Sequence, residues 1–331
     1  MNKSLLTDIT DYYQLPTAAS NLERVAKGVL SENYVIMSGR DKFFLKKYRF
    51  DNEQKIKEIH LAKQYFADGD IPVILPLRTR TQDTFFLHDT NYYALFPFVA
   101  GRHLEREALT SQAISSMGKM LARIHLRGRD STLAIENTFN PWNKEIFLAK
   151  AAAVLEKIPQ GAAASDFDML ALRSVRLKME LATQNTTTFD SLRLSNDHLL
   201  HGDYLDHNVF FDAQDNVEYV FDFEKTQYGP RSYELFRSVM YSLLSSGTTN
   251  GDIRRAELYL RAYLESYPMP DDEIERGLRA YYLKSIHSIW IEHEHYVLGN
   301  TRPDVFLKAD LERISFFIRE PQLFDQPLHT G

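Results

Sequence analysis

The sequence predicts an α+β protein of two lobes, a small antiparallel sheet first and a large, mainly helical part after it. Three observations carry this. Aromatic and β-branched residues gather in short runs between residues 20 and 99. Beyond Gly101 apolar residues recur at helical spacing. Between the two regions, Phe96-Pro97-Phe98-Val99-Ala100-Gly101 places a proline and a glycine where a strand has to end. The expected boundaries are a lobe over 1–96, a hinge over 97–101 and a second lobe over 102–331.

Residues 4–14 read as a leading helix closed by Pro16. Three strands follow: one ending near Gly28, one at Tyr34-Val35-Ile36-Met37, and one over Phe43-Phe44-Leu45-Lys46-Lys47-Tyr48. The turn Ser38-Gly39-Arg40-Asp41 makes the last two a hairpin. Ile56, Ile59, Leu61, Ala62, Tyr65 and Phe66 give residues 52–67 the apolar face of a helix, which Gly69-Asp70-Ile71-Pro72 stops. Extended segments are expected over 72–79 and 84–87, then a strand over 92–99. Leu109, Ala113, Met117, Leu121 and Ile124 mark a helix running to His125. Residues 140–188 carry two or three helices, with breaks at Pro159-Gln160-Gly161 and Gln184-Asn185-Thr186. Strands over 208–212 and 217–222 flank an Asp215-Asn216 turn, and helices are expected over 232–246, 252–266, 272–298 and 303–318.

Composition limits the function classes. The 331 residues, 44% hydrophobic and 25% charged, suffice for two packed lobes. With 39 basic and 45 acidic residues the net charge is −6 and no basic stripe stands out, which disfavours nucleic-acid binding. The absence of cysteine excludes disulfide and thiolate chemistry and fits a cytoplasmic protein. No run of 18 apolar residues occurs, and Met1-Asn2-Lys3-Ser4 leads into no hydrophobic segment. Neither a signal peptide nor a membrane partner is expected.

The chemistry is concentrated in 201–224. His201-Gly202-Asp203-Tyr204-Leu205-Asp206-His207-Asn208 is followed by Asp222-Phe223-Glu224. In-line phosphoryl transfer needs a carboxylate that orients a hydroxyl and oxygen ligands for a divalent cation. Asp203 and Asn208 are five apart, so one loop can aim both into one cleft. Asp222, at the end of an expected strand, can reach the same place. With His201-Gly202-Asp203 and Gly229-Pro230-Arg231-Ser232-Tyr233-Glu234-Leu235, this pattern resembles the aminoglycoside phosphotransferase / choline kinase-like family. The resemblance covers about residues 20–320 and implies a protein kinase-like fold.

That resemblance implies Asp203 as catalytic base, Asn208 and Asp222 as Mg²⁺ ligands, and His201 as a brace for the loop. ATP and Mg²⁺ are the implied cofactors, a small-molecule hydroxyl the acceptor, and a monomer or homodimer the expected state. It also asks for parts upstream. Lys46 matches the strand lysine that meets the phosphates; alternation allows only one of Lys46 and Lys47 to face the cleft. Glu58 fits the helix glutamate paired with that lysine, Glu53 being its nearest rival. Pro97 C=O and Val99 N–H suit adenine recognition at the hinge, because proline keeps its acceptor. Ser31, after the single Gly28, stands where a glycine-rich loop would touch phosphates. The reduced loop favours a small-molecule enzyme over a protein Ser/Thr kinase of the same fold, and the absence of Gly-x-x-x-x-Gly-Lys-[Ser/Thr] rejects a P-loop enzyme. The intact acids and lysine argue against a non-catalytic nucleotide-binding protein.

For the acceptor, Asp206 and Glu234 are acids close to the centre. Trp290, Glu292, Glu294 and Tyr296 form an aromatic and acidic group on a late helix, which would suit a cationic amine. Amino alcohols, sugars and aminoglycosides are not separated by these residues. Glu292 with His295 has the spacing of half a di-iron site, but no second copy exists.

Overall fold

The computed structural model describes residues 3–15, 18–25, 32–161, 164–244 and 250–324. Its sheet is built on the expected hairpin. Strands β2 (Glu32–Ser38) and β3 (Asp41–Lys47) pair antiparallel from Glu32↔Lys47 to Ser38↔Asp41, and Gly39 turns the corner at φ 62°. β1 (Ser20–Arg24), β4 (Phe86–His88) and β5 (Asn91–Pro97) complete a five-stranded sheet in the order β1-β2-β3-β5-β4. Helix α1 (Lys3–Tyr13) lays Leu5, Leu6 and Ile9 against Ile36, Leu45, Phe86 and Leu95 of this sheet.

Helix α2 (Glu53–Ala67) starts at Asn52, whose side chain accepts the Lys55 N–H. It joins the sheet to the rest of the protein. Ile56 packs with Tyr48 and Phe96, whereas Ile59, Ala62 and Phe66 enter a large core that contains Leu121, Phe223 and Tyr263. Beyond α2, the largest helical contributions to that core come from α3 (Ser111–Arg129), α6 (Arg231–Ser242), α7 (Asn250–Ser266) and α8 (Asp271–Ile286). A second core lies between α4 (Lys144–Leu155), α5 (Asp166–Gln184), α9 (Trp290–Tyr296) and the start of α10 (Leu307–Arg319). Between α5 and α6 run four short strands: β6 (His198–Leu200), β7 (Val209–Phe211), β8 (Val217–Val220) and β9 (Gln227–Gly229). β7 pairs with β8 and β6 with β9, both antiparallel. A small antiparallel sheet and a mostly helical remainder are thus the architecture expected from the sequence.

Two local expectations are corrected and one strand pair is additional. Residues 72–79 make no ladder, only a bridge between Val73 and Val220. The pair β6–β9 joins segments of three residues, too short to show an alternation. The helix expected over 272–298 is two, α8 and α9. The His287 ring bonds the Leu283 carbonyl (Nδ1···O 2.7 Å), and the Ser288 N–H closes on Ser285 O, so the helix ends. The break lets Ile289 and Ile291 enter the second core while Leu283 and Ile286 stay with Leu192 and Ile314. No helix among the described residues is long and apolar enough to cross a membrane.

Candidate active site

The loop after β6 is set by buried hydrogen bonds. The Asp203 N–H donates to His201 Nδ1 (3.2 Å), so Nε2 carries the proton and donates to the Phe221 carbonyl (2.9 Å). Burial lowers the His201 pKa and keeps this tautomer neutral. The His201 N–H donates to Glu234 Oε2 (3.2 Å), which also takes His125 Nε2 (3.0 Å). Gly202 is required where it stands. Its φ is +85°, and a Cβ there would lie 1.8 Å from the Lys225 carbonyl oxygen. At the other end Asn208 Nδ2 donates to the Asp203 carbonyl (2.8 Å), closing the loop on itself. The Phe221 N–H then bonds the Asn208 carbonyl (3.1 Å). Asn208 and Asp222 are thereby adjacent, the latter in a left-handed turn at φ 65°.

The acids of this loop are matched by cations. Asp203 is paired with Arg237 of α6 and with Lys225 (2.9 Å). Burial alone would raise its carboxyl pKa, but Arg237 and Lys225 outweigh that and hold it well below the usual carboxylate range. Lys46 lies 2.8 Å from Asp222 Oδ1 and 2.7 Å from Glu224 Oε1. Burial works against its charge, but the two carboxylates keep it protonated. Lys47 is turned the other way, to Glu32 at 2.9 Å.

The expected pairing of Lys46 with Glu58 is corrected. Glu58 is buried, but its carboxylate accepts the Glu136 N–H (3.2 Å) and Gln54 Nε2 (3.1 Å). Glu53, the rival, lies 2.6 Å from Lys57. The α2 side chains toward Lys46 are instead His60 and Lys63, which Lys46 influences electrostatically. Lys63 rests 4.4 Å from the centre of the Phe96 ring and donates to the Ile74 carbonyl (3.2 Å). Burial, then the Lys46 charge, push its pKa down to about 7. A glutamate from α2 is therefore replaced beside Lys46 by Glu224. Pro97 ends β5 opposite Phe43, and Val99 follows two residues on, half-buried. Ser31 lies outside the described residues.

The acceptor residues expected from the sequence all have partners of their own. Glu234 is 1% exposed and holds His201 and His125 from behind the loop. The Asp206 N–H donates to Ser242 Oγ (3.1 Å), and its carboxylate sits 3.5 Å from His207. Glu292 is fully buried, taking Ser174 Oγ (2.6 Å) and Lys178 Nζ (3.4 Å) in a cluster with Asp310 and Arg313. Glu294 accepts Asn300 Nδ2 (2.7 Å), Tyr296 donates to Asp168 (2.5 Å), and Trp290 lies against Phe306. Glu292 shares the buried Lys178 with Asp310, which lies closer at 2.8 Å, so its charge is matched within the cluster. None of their bonds reaches Asp203.

Sequence reasoning missed Lys225, Arg237 and the role of Glu224. The signals existed. Tyr233, Arg237 and Tyr241 repeat every four residues on the half-buried face of α6.

The oxygens present suit Mg²⁺. With its nitrogen committed to the Asp203 carbonyl, Asn208 offers Oδ1, and Asp222 offers a carboxylate beside it. Mg²⁺ takes one or two such protein oxygens and completes its shell from phosphates and water. Among the described residues no group of three or more His, Cys, Asp or Glu is placed to hold a metal ion by itself.

The model of the phosphotransferase enzyme family matches residues 21–278. Homoserine kinase of Methylobacillus glycogenes is 22% identical over 254 residues, 76% of this chain and 73% of that protein. Serine/threonine protein kinase RdoA of Salmonella typhimurium is 26% identical over 233 residues, 69% of this chain and 62% of that protein. Among solved structures, amicoumacin kinase hAmiN in complex with AMP-PNP, Ca²⁺ and Ami superposes with a TM-score of 0.63. The identity is 15%, over 98% of this chain and 93% of that one. That likeness is one of fold.

Proposed function

Since this chain belongs to the phosphotransferase enzyme family, we propose that it moves the γ-phosphoryl group of ATP to a hydroxyl of a small molecule. The observation that carries the reading is the assembly of Asp203, Asn208 and Asp222 on two hydrogen-bonded turns, with Lys46 of β3 reaching Asp222. In this reading residues 1–96 and 102–331 are the two lobes and 97–101 the hinge. Adenine lies against Pro97 C=O and Val99 N–H. Lys46, positioned by Glu224, grips the phosphates. Asn208 and Asp222 hold Mg²⁺, which neutralises phosphate charge. Asp203 accepts a hydrogen bond from the acceptor hydroxyl and aligns it. The bond from the acceptor oxygen to phosphorus forms as the bond to the β–γ bridging oxygen breaks. ADP leaves with the electron pair and the proton goes to Asp203.

Glu224→Gln tests the lysine clamp. Losing a charge-assisted partner of Lys46 is expected to raise KM for ATP roughly tenfold or more, with a smaller change in kcat. Steady-state kinetics with ATP varied checks this; an unchanged KM for ATP would remove Glu224 from the clamp.

The similarity to RdoA, a protein kinase, favours one second reading, transfer to protein Ser or Thr. Incubating the chain with γ-labelled ATP and Mg²⁺ over amino alcohols, hydroxy acids, sugars, aminoglycosides and a protein mixture separates the two. Label in a small alcohol and none in protein is expected. Label in protein alone supports the second reading, and label nowhere sinks both.

A further inference from the structure

We propose that the acceptor alcohol carries an anionic group, a carboxylate or a phosphate ester, received by Lys284 and Arg237 next to Asp203. The inference rests on the phosphotransferase reading and names the substrate class of that site.

The acceptor hydroxyl has to meet Asp203, so the groups bordering Asp203 surround the acceptor. They are cationic. Arg237 and Lys225 touch the Asp203 carboxylate itself. Lys284 of α8 lies over the Phe139 ring, which packs edge to face on Tyr233, one turn before Arg237 on α6, and the Arg237 charge opposes its own. Its described partners are the Asn140 carbonyl and the Phe139 ring, 5.5 Å from Nζ; no carboxylate among the described residues is within ion-pair distance. Burial, then Arg237, lowers the Lys284 pKa to about 8. Of these three cations Lys225 is exposed, whereas Arg237 and Lys284 are half-buried, so the surplus that matters is Lys284, which has no carboxylate partner among the described residues. The nearby Arg313 adds nothing to the surplus, because Asp310 holds it.

Charge left unmatched in a partly desolvated place is unfavourable until an anion joins it. The nucleotide's own phosphates can answer for Lys225 and Arg237, which touch Asp203. They do not answer for Lys284, which does not touch Asp203. A molecule whose hydroxyl sits on Asp203 can instead extend its other end along Arg237 to Lys284. The walls suit a short carbon skeleton. Tyr241 stacks under the Arg237 guanidinium at 4.5 Å, and Tyr233 and Phe139 meet edge to face at 5.4 Å. A cationic amine placed there would be repelled.

The test uses matched acceptors: glycerate and glycerol phosphate against glyceramide, glycerol and ethanolamine, each with ATP and Mg²⁺. Higher kcat/KM for the acid or the phosphate ester than for the amide and the amine is expected, and which of the two anions is preferred identifies the group. Lys284→Met should then raise KM for the anion about tenfold, the loss of one charge-assisted contact. Its kcat, its KM for ATP and its KM for the amide should stay as in the wild type, and Lys284→Arg should restore the anion KM. Preference for the amide or the amine, an acceptor KM indifferent to Lys284→Met, or a rise in KM for ATP instead, each overturns the anionic subsite and leaves the transfer reading standing. If no acceptor is turned over, titration calorimetry with the two anions in ADP and Mg²⁺ decides. Binding lost in Lys284→Met upholds the subsite while the transfer reading fails; absence of binding removes both.

Discussion

Asp203→Asn is expected to lower kcat by about a thousandfold, the middle of what a positioned acid–base group contributes, while ATP binding stays nearly as it was. The separation follows from the loop's construction. Asn208 is held by the main-chain carbonyl of residue 203, not by its carboxylate. Lys46 is held by Asp222 and Glu224. The nucleotide side of the site therefore survives the substitution, and only the group facing the acceptor is lost. Equilibrium binding of ATP analogues beside steady-state turnover checks both halves; turnover within tenfold of wild type would end the mechanism proposed for Asp203.

The same surroundings define what kind of catalyst Asp203 is. Arg237 and Lys225 hold its pKa below the ordinary value near 3.9. It is ionised throughout the neutral range, so no acid limb of the rate profile between about pH 5 and 8 belongs to it. A carboxylate so stabilised is a weak base and a good aligner, which is what a dissociative phosphoryl transfer asks for. The depressed pKa also links to stability. The contribution is present above the unfolded value and lost as pH falls toward the folded one. The Asn variant should therefore melt below wild type at pH 7, with the gap closing in strong acid.

The order of the elements was legible where periodicity is long: the β2–β3 hairpin, α2 and α3 repeat their pattern over many residues. The split between α8 and α9 was not, because the apolar spacing runs on through Ile286 and Ile289 and only a side-chain bond from His287 interrupts it. Asp203, Asn208 and Asp222 could be placed together because two short turns hold them close in the chain. The partner of Lys46 could not, since nothing local distinguishes Glu58 on a neighbouring helix from Glu224, which is distant in sequence and adjacent in space. The same blindness explains the acceptor side. The acids of α9 look like a site in one dimension, yet Lys178 and Asn300 claim two of them within their own lobe. Lys284 and Arg237, on two different helices, acquire meaning only once α6 and α8 pack.

Glu234→Ala is expected to cost about 1–3 kcal/mol of stability for each of the two buried donors it leaves without an acceptor, read as a fall in the denaturation midpoint. Glu234 Oε2 accepts both the His201 N–H and His125 Nε2 in a position with almost no solvent. His125 is fixed from its other side by Tyr263 (2.8 Å), so it cannot turn away to find a new acceptor. The substitution leaves two buried donors without partners, and no water replaces the carboxylate cheaply. Glu234→Gln retains one acceptor oxygen and should recover part of the loss. Because the released N–H belongs to the residue that orients Asp203, kcat should fall more than KM for the acceptor rises. An acid that binds substrate would behave in the opposite way, raising KM for the acceptor while leaving the midpoint within about 0.5 kcal/mol of wild type, as surface changes do. The split between KM and midpoint thus decides whether α6 presents Glu234 to the acceptor or uses it to hold the loop from behind, leaving Arg237, one turn on, to face the cleft.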